Sequence, residues 1–315
     1  MMRRLAVLIA ALAVLAAVAP WVAPYDPETQ HRDFMFAPPM APRVLDGGTL
    51  RAPFVYPIAM ADRLAQRYEE NRASRRSLPW FDDNVTDPVF LLGADSFGRD
   101  LLSRLLHGAR VSLSLALVSA AGALLLGTII GGLAGYRGGW VDDAAMRAAD
   151  FVIVLPVIYV SLVLRAVMPL VLLPSTVFLS MAGIFTIVGW PFVARGVRGI
   201  VASEREREYV VAARSLGAGG WRILTRHLLP ACGGYVLVQA TLLLPAFILG
   251  EATLSYVGLG FPEHMATWGT MLIEAASASA MTRFPWTLAP AFAIFAVVLS
   301  ANIILQSDKI GGRPI

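Results

Sequence analysis

At 315 residues the chain is long enough for more than one folded unit, but 57% of it is hydrophobic and only 15% charged, with a mean hydropathy of +0.64. That is more apolar surface than a soluble fold of this size hides, so an ordinary soluble protein is excluded and an all-α integral membrane protein is indicated. The net charge of +4 comes from arginines beside apolar runs, which suits lipid headgroups and membrane topology and argues against nucleic acid.

A hydrocarbon core of about 30 Å needs about 20 helical residues, and six apolar runs read as spans. The first, Leu5 to Val22, follows Arg3 and Arg4. Ala17-Val18-Ala19 imitates a signal cleavage site, but Pro20 disfavours processing and Trp21-Val22 lengthens the run, so residues 1–24 read as a retained transmembrane anchor. Residues 25–107 then form an extracytoplasmic insert. Its Asp26 to Val89 part, with Ala37-Pro38-Pro39 and Pro42, predicts irregular structure and one helix through Met60 to Arg72.

The second run, Val111 to Gly135, carries Gly127, Gly131 and Gly135 on one helix face. That spacing permits close helix approach, either inside this subunit or at a seam with another. The third, Ala144 to Met168, contains Pro156, and Arg165 is predicted to snorkel to the outer headgroups while Arg147 and Asp150 do so at the inner side. The fourth, Ser175 to Val197, contains Pro191. Prolines there, and Pro245 in the fifth run, interrupt helix hydrogen bonding, as static kinks or as points of movement.

Between the fourth run and the fifth, Ala231 to Tyr256, lies a polar island. Ser203 with Glu206 has the form of a capping box, and Glu204, Glu206 and Glu208 suit the positive end of a helix dipole, so a helix is predicted to begin near Ser203. Ala212 and Ala213 favour helix with little bulk, and Gly217 is placed to close it after Leu216. Arg222 and Arg226 sit four apart on a further turn, and Pro230 marks re-entry into the membrane. Residues 203–230 therefore read as a docking surface. Glu251 is the one acidic residue deep in the fifth run. It is either a translocation or gating contact, or a structural group bonded to nearby backbone or to Trp268.

The sixth run spans Trp286 to Gln306, and residues 307–315 form a tail. Arginines at 3, 4, 137, 147, 195, 198, 205, 207, 214, 222 and 226, with Lys309 and Arg313, fall on one side of this six-span arrangement. The positive-inside rule places that side, with both termini and the 203–230 loop, in the cytoplasm. No phosphate-binding loop or nucleophile elbow is present. The single cysteine, Cys232, and the scattered His31, His107, His227 and His264 offer no metal-ligand spacing. No catalytic residue, metal or cofactor is expected in this chain.

Ala212-Ala213, three residues, Gly217, and Leu229-Pro230 closing thirteen positions after that glycine resemble the loop of binding-protein-dependent ABC importer permeases of the dipeptide and oligopeptide (nickel) branch. Leu92 to Asp100 with Ser103-Arg104, Gly108 to Leu113, Ala134 to Gly139 with Met146-Arg147 and Asp150, and Glu251 to Gly260 with Trp268 to Met271 are similar to other segments of that family. The resemblance implies a six-helix type I importer permease fold with its core at 108–306, in the bacterial inner membrane. It implies that Glu208, Tyr209, Ala212, Ala213, Arg214, Gly217, Ala218, Arg222, Leu229 and Pro230 belong to a loop that couples to a separate ATPase. Ala212, Ala213 and Gly217 would give close fit there, and Glu208, Arg214 and Arg222 polar contacts at the rim. ATP and magnesium would be bound by one or two ATPase subunits. A homologous second permease and an external solute-binding protein would complete the system, carrying a di- or oligopeptide, a nickel complex or a small glycoside. Two features depart from the pattern: Val211 stands where an acidic residue usually precedes the alanine pair, and Ile303 to Asp308 replaces the usual tail. The alternative is an ion-coupled secondary transporter, for which Glu251 is the main intramembrane carboxylate.

Overall fold

The computed structural model describes residues 2–46, 49–63, 66–78, 80, 88–169, 173–276 and 278–310. The chain is mostly helical and divides into two units: Met1–Ala13 with Leu113–Leu259 and Ala296–Ile315, and Val14–Ser112 with Gly260–Phe295.

Helix α1 spans Met2–Val22 and α2 spans Leu101–Arg137. They are followed by α3 (Gly139–Val154), α4 (Val157–Ala166) and α5 (Pro174–Glu204). Past the polar island, α9 (Gly233–Tyr256) and α12 (Ala289–Ile310) are the long apolar helices. Among the described residues, four stretches are long and apolar enough to cross a membrane: α2, α5, α9 and Pro285–Ile303. A fifth is made if α3 and α4, bent by 90° where Leu155 turns extended before Pro156, count as one span. The apolar stretch of α1, Ile9–Val22, is shorter.

In the first unit the three glycines of α2 face α5. A Cβ on Gly131 would stand 2.3 Å from the carbonyl oxygen of Ala194, and one on Gly135 2.6 Å from that of Arg198. Small residues therefore let two backbones touch within this subunit, which decides between the two readings of that face. Arg198 adds a tie to α3, its Nε donating to both carboxylate oxygens of Asp142 at 2.9 and 3.0 Å. Arg195 pairs with Asp150.

The second unit contains strands where only irregular chain and a helix are predicted. Strands β1 (Arg43–Asp46), β2 (Thr49–Val55) and β5 (Arg76–Ser77) form an antiparallel sheet in the order β1-β2-β5, and β3 (Ile58–Asp62) pairs with β4 (Arg67–Glu70). The predicted helix through Met60 to Arg72 is thus a hairpin. Its residues favour helix individually, but Ile58 packs with Met40, Val55 and Phe90, and the Tyr68 hydroxyl donates to the Met35 carbonyl at 2.7 Å. Tertiary contact overrides local propensity.

Two short helices, α10 (Trp268–Ala275) and α11 (Ala278–Arg283), complete this unit. Thr267 caps α10 reciprocally with Thr270: its hydroxyl accepts from the Thr270 amide at 3.0 Å, and its own amide donates to the Thr270 hydroxyl at 3.1 Å. The residues before α2 make a buried ionic cluster with α10. Asp95 accepts from the Phe97 and Arg99 amides and from Arg99 Nε, while Arg99 pairs with Glu274. Arg104 lies 3.5 Å from Asp95 and 3.6 Å from Glu274 with its side chain 1% exposed. Asp100 Oδ2 accepts from both the amide and hydroxyl of Ser103, a cap for α2.

Candidate functional site

The polar island is a chain of short helices: α6 (Glu208–Ser215), α7 (Gly220–Ile223), a π-helical segment at Leu224–Leu228 and α8 (Leu229–Ala231). Its start differs from the prediction. Helix α5 continues through Ser203 to Glu204, because Val201 is fully buried against Gly135 and keeps the chain helical. Ser203 does not cap a helix; its carbonyl instead accepts from the Glu206 amide at 3.4 Å. The break comes at 205–207, and α6 opens after Arg207, with Glu208 as the acidic residue of its first turn.

The end of α6 follows the predicted chemistry. Gly217 has φ +85, the Ala218 amide donates to the Ala213 carbonyl at 3.1 Å, and the Gly217 amide donates to the Arg214 carbonyl at 3.0 Å. This is the paired closure of a left-handed glycine cap, which fixes the direction in which the chain leaves α6. Nothing stands within 4 Å of where a Gly217 Cβ would lie, so the glycine serves backbone conformation and leaves the space beside it open.

Below the knob the anchoring is tight. Val210, Ile223, Leu224 and Leu228 are buried, and a Cβ on Gly220 would lie 2.7 Å from the Tyr136 hydroxyl. Arg205 donates to the carbonyls of Gly135 and Tyr136 at 3.3 and 3.2 Å, covering the open end of α2. Tyr209 donates to Glu204 at 2.8 Å and its ring lies 6.2 Å from that of His227; burial first, then the neighbouring carboxylate, raise its pKa. Pro230 has no amide hydrogen, and the turn before it widens, with the Leu229 amide reaching Leu224 O.

The knob exposes two large apolar side chains. Leu216 is 89% exposed and Trp221 73%, and Glu208, Tyr209, Val211, Ala212, Arg214, Gly217, Arg222 and Arg226 are exposed with them. Ala213 and Ala218 are half-buried, Leu229 likewise, and Pro230 is exposed. Most of the predicted loop residues are thus exposed. Leu216 and Trp221 were not singled out from the sequence, although two large apolar side chains inside an otherwise polar island carried the signal.

Residues 127–307, which include all of this loop, match the family model described as binding-protein-dependent transport system inner membrane component. The chain belongs to that family. Residues 5–39 also match the N-terminal TM domain of oligopeptide transport permease C. An oligopeptide transport system permease protein of Bacillus subtilis is 39% identical over 213 residues, 67% of each chain. A di/tripeptide transport system permease protein of Pseudomonas aeruginosa is 35% identical over 290 residues, 92% of this chain and 80% of the relative. A dipeptide transport system permease protein of Alkalihalophilus pseudofirmus is 37% identical over 213 residues. This is a transport permease.

Within the permease, Glu251 is fully buried and accepts from the Ser255 hydroxyl at 2.9 Å. The Trp268 indole, weighed as its partner, donates instead to the Leu105 carbonyl at 3.1 Å. Arg165 corrects the snorkelling expectation: it is 2% exposed and donates to the Pro169 carbonyl at 3.3 Å. Among the described residues no group of three His, Cys, Asp or Glu side chains could hold a metal ion.

Proposed function

We infer that this permease is one membrane subunit of an ATP-driven importer that moves di- and oligopeptides across the bacterial inner membrane. The relatives named for peptide transport support the cargo class, and the family description supports the membrane. Residues 1–24 serve as the first transmembrane helix, 25–107 as an insert outside the membrane, 108–306 as the permease core and 307–315 as a tail. With six spans, both termini and the 203–230 loop are cytoplasmic.

The observation that carries the coupling role is the capped α6 knob, which holds exposed Leu216 and Trp221 amid Glu208, Arg214 and Arg222 over a buried base. Exposed apolar side chains among charged ones suit a groove on a separate protein. That protein is a cytoplasmic ATPase, in one or two copies, which binds ATP and magnesium. Nucleotide-driven closure of the ATPases pulls on α6 and so moves α5 and α9. A homologous second permease and an external solute-binding protein complete the machine.

Purifying the tagged chain with its associated subunits and reconstituting them with the binding protein tests this. ATP-dependent uptake of a labelled dipeptide is the expected result. Gly217→Val puts a β-branched residue at a left-handed position, costing roughly 1–2 kcal/mol, so uptake should fall about tenfold with the subunit still inserted. Unchanged uptake, or a chain that transports alone with no ATPase, would reject the coupling assignment.

A further inference from the structure

The last turns of α2 are held both by the knob and by the end of α5. Gly132 admits Leu229 of α8, since a Cβ there would stand 2.9 Å from Leu229 Cδ2. Gly135 admits Val201 of α5, whose own Cβ lies 3.0 Å from where one on Gly135 would be. The Tyr136 hydroxyl reaches α7, 2.7 Å from the place of a Gly220 Cβ, with two ring carbons at 3.3 and 3.4 Å from it. Arg205, the first residue past α5, sends Nη1 across to the Gly135 and Tyr136 carbonyls. The same nitrogen would stand 3.4 Å from a Cβ on Gly138.

These contacts differ in kind from the side-chain pairs that bridge α5 to α6 across the break at 205–207. Tyr209 and Arg207 both reach Glu204 there, and both are exposed. Exposed polar pairs exchange readily with water, so they hold the two helices loosely. Packing against a glycine leaves no slack, because neither surface can slide by the width of a methyl group without overlap. The helices differ as well. α2 runs for 37 residues without proline, whereas α5 carries Pro191 and α9 carries Pro245. An unbroken helix passes on a displacement of its end, and one with a missing backbone hydrogen bond bends first.

We propose that Tyr136 and Arg205 are positioning residues for energy coupling, which make the end of α2 move with the knob as one piece. Tyr136 is a wedge that fits only because position 220 carries no side chain. Arg205 holds the open carbonyls of α2 from the far side of the break. A displacement of α6 to α8 then reaches the membrane through α2 directly, as well as through α5. The proposal rests on the coupling reading above and adds to it which side chains transmit the movement.

The test uses the complete transporter with its ATPases and binding protein in membrane vesicles, and reads ATP hydrolysed per molecule of leucyl-leucine imported. A merely structural contact would lower the yield of assembled complex and leave that ratio where it was. Tyr136→Ala and Arg205→Ala should each raise it several-fold in complexes of unchanged subunit composition, while Arg205→Lys, which keeps a donor for the two carbonyls, should stay near the wild type. Gly220→Ala should also raise the ratio, because its methyl group meets the Tyr136 hydroxyl. Adding Tyr136→Phe, which removes that oxygen, should restore most of the coupling. If Tyr136→Ala does not assemble, the Gly220→Ala pair decides. Tyr136→Cys with Gly220→Cys, in a Cys232→Ser background, should be uncoupled until a short bifunctional methanethiosulfonate joins the two thiols, and coupled afterwards. An unchanged ratio in Tyr136→Ala, a Gly220→Ala defect that Tyr136→Phe does not relieve, or a joint that stops uptake overturns the wedge. An unchanged ratio in Arg205→Ala overturns the Arg205 tie. A wild-type complex whose uptake needs no ATP overturns the coupling reading itself, whereas a coupled wild type with indifferent variants overturns this proposal alone.

Discussion

The 208–230 knob and the ionic cluster around Arg104 solve opposite problems with similar residues. In the knob the charged side chains Glu208, Arg214, Arg222 and Arg226 are exposed with Leu216 and Trp221, and the backbone caps hold the shape. In the cluster Asp95, Arg99, Asp100 and Arg104 are buried; Arg99 pairs with Asp95 and Glu274, and Arg104 lies 3.5–3.6 Å from the same two carboxylates without a hydrogen bond to either. The exposed side of the knob leaves stability to the backbone caps and to the buried Val210, Ile223, Leu224 and Leu228 beneath it. A closed ionic cluster places stability in those side chains, so the same kind of substitution should have opposite consequences in the two places.

The largest effect should come from Arg104. Replacing it with Met removes the cation lying 3.5–3.6 Å from Asp95 and Glu274 and leaves both carboxylates to share Arg99 alone, a loss of about 3–5 kcal/mol. The purified variant should lose its folded fraction in detergent chromatography. A thermal midpoint equal to that of the wild type would mean the cluster is not held by its charges.

A smaller effect should follow pH. Burial pushes Asp100 up from its ordinary value to about 6, against the Ser103 hydrogen bonds that pull it down. Burial also raises Glu274, helped by Asp95. For an acid whose folded pKa lies above its unfolded one, the native state keeps a proton that the unfolded chain has released. Stability therefore falls as pH rises from about 4 to about 6 and is level above that, a change of about 2–3 kcal/mol for Asp100. The thermal midpoint should be higher at pH 5 than at pH 7. Asp100→Asn, which keeps an acceptor for Ser103, should flatten part of that slope; an unaltered slope would assign it elsewhere.

These two regions were unequally legible. The α6 cap could be read directly, because a left-handed glycine after a helical run has one common structural use and Gly217 has it. The start of α6 could not: Ser203 and Glu206 have the right spacing for a cap, but burial of Val201 under α2 keeps α5 helical past them. The strands at 43–77 were hidden for the same reason, since Ile58 and Tyr68 take their conformation from Met40, Phe90 and Met35. The ionic cluster was visible only as a family-like motif, because pairing Arg99 and Arg104 with Glu274 joins positions far apart in sequence.

The smallest effect on stability, and the sharpest contrast, belongs to the knob. Leu216 is 89% exposed and lies after the last turn of α6, so Leu216→Asp removes almost no buried contact. Stability should stay within about 0.5 kcal/mol of the wild type. The same change puts a charge in place of an exposed apolar side chain, where a docking groove would have to desolvate it, and ATP-driven uptake should fall by more than about tenfold. Measuring both quantities on one preparation separates the two possibilities. Full uptake with unchanged stability would mean that Leu216 faces only water, and the docking centre would then move to Trp221 and Val211.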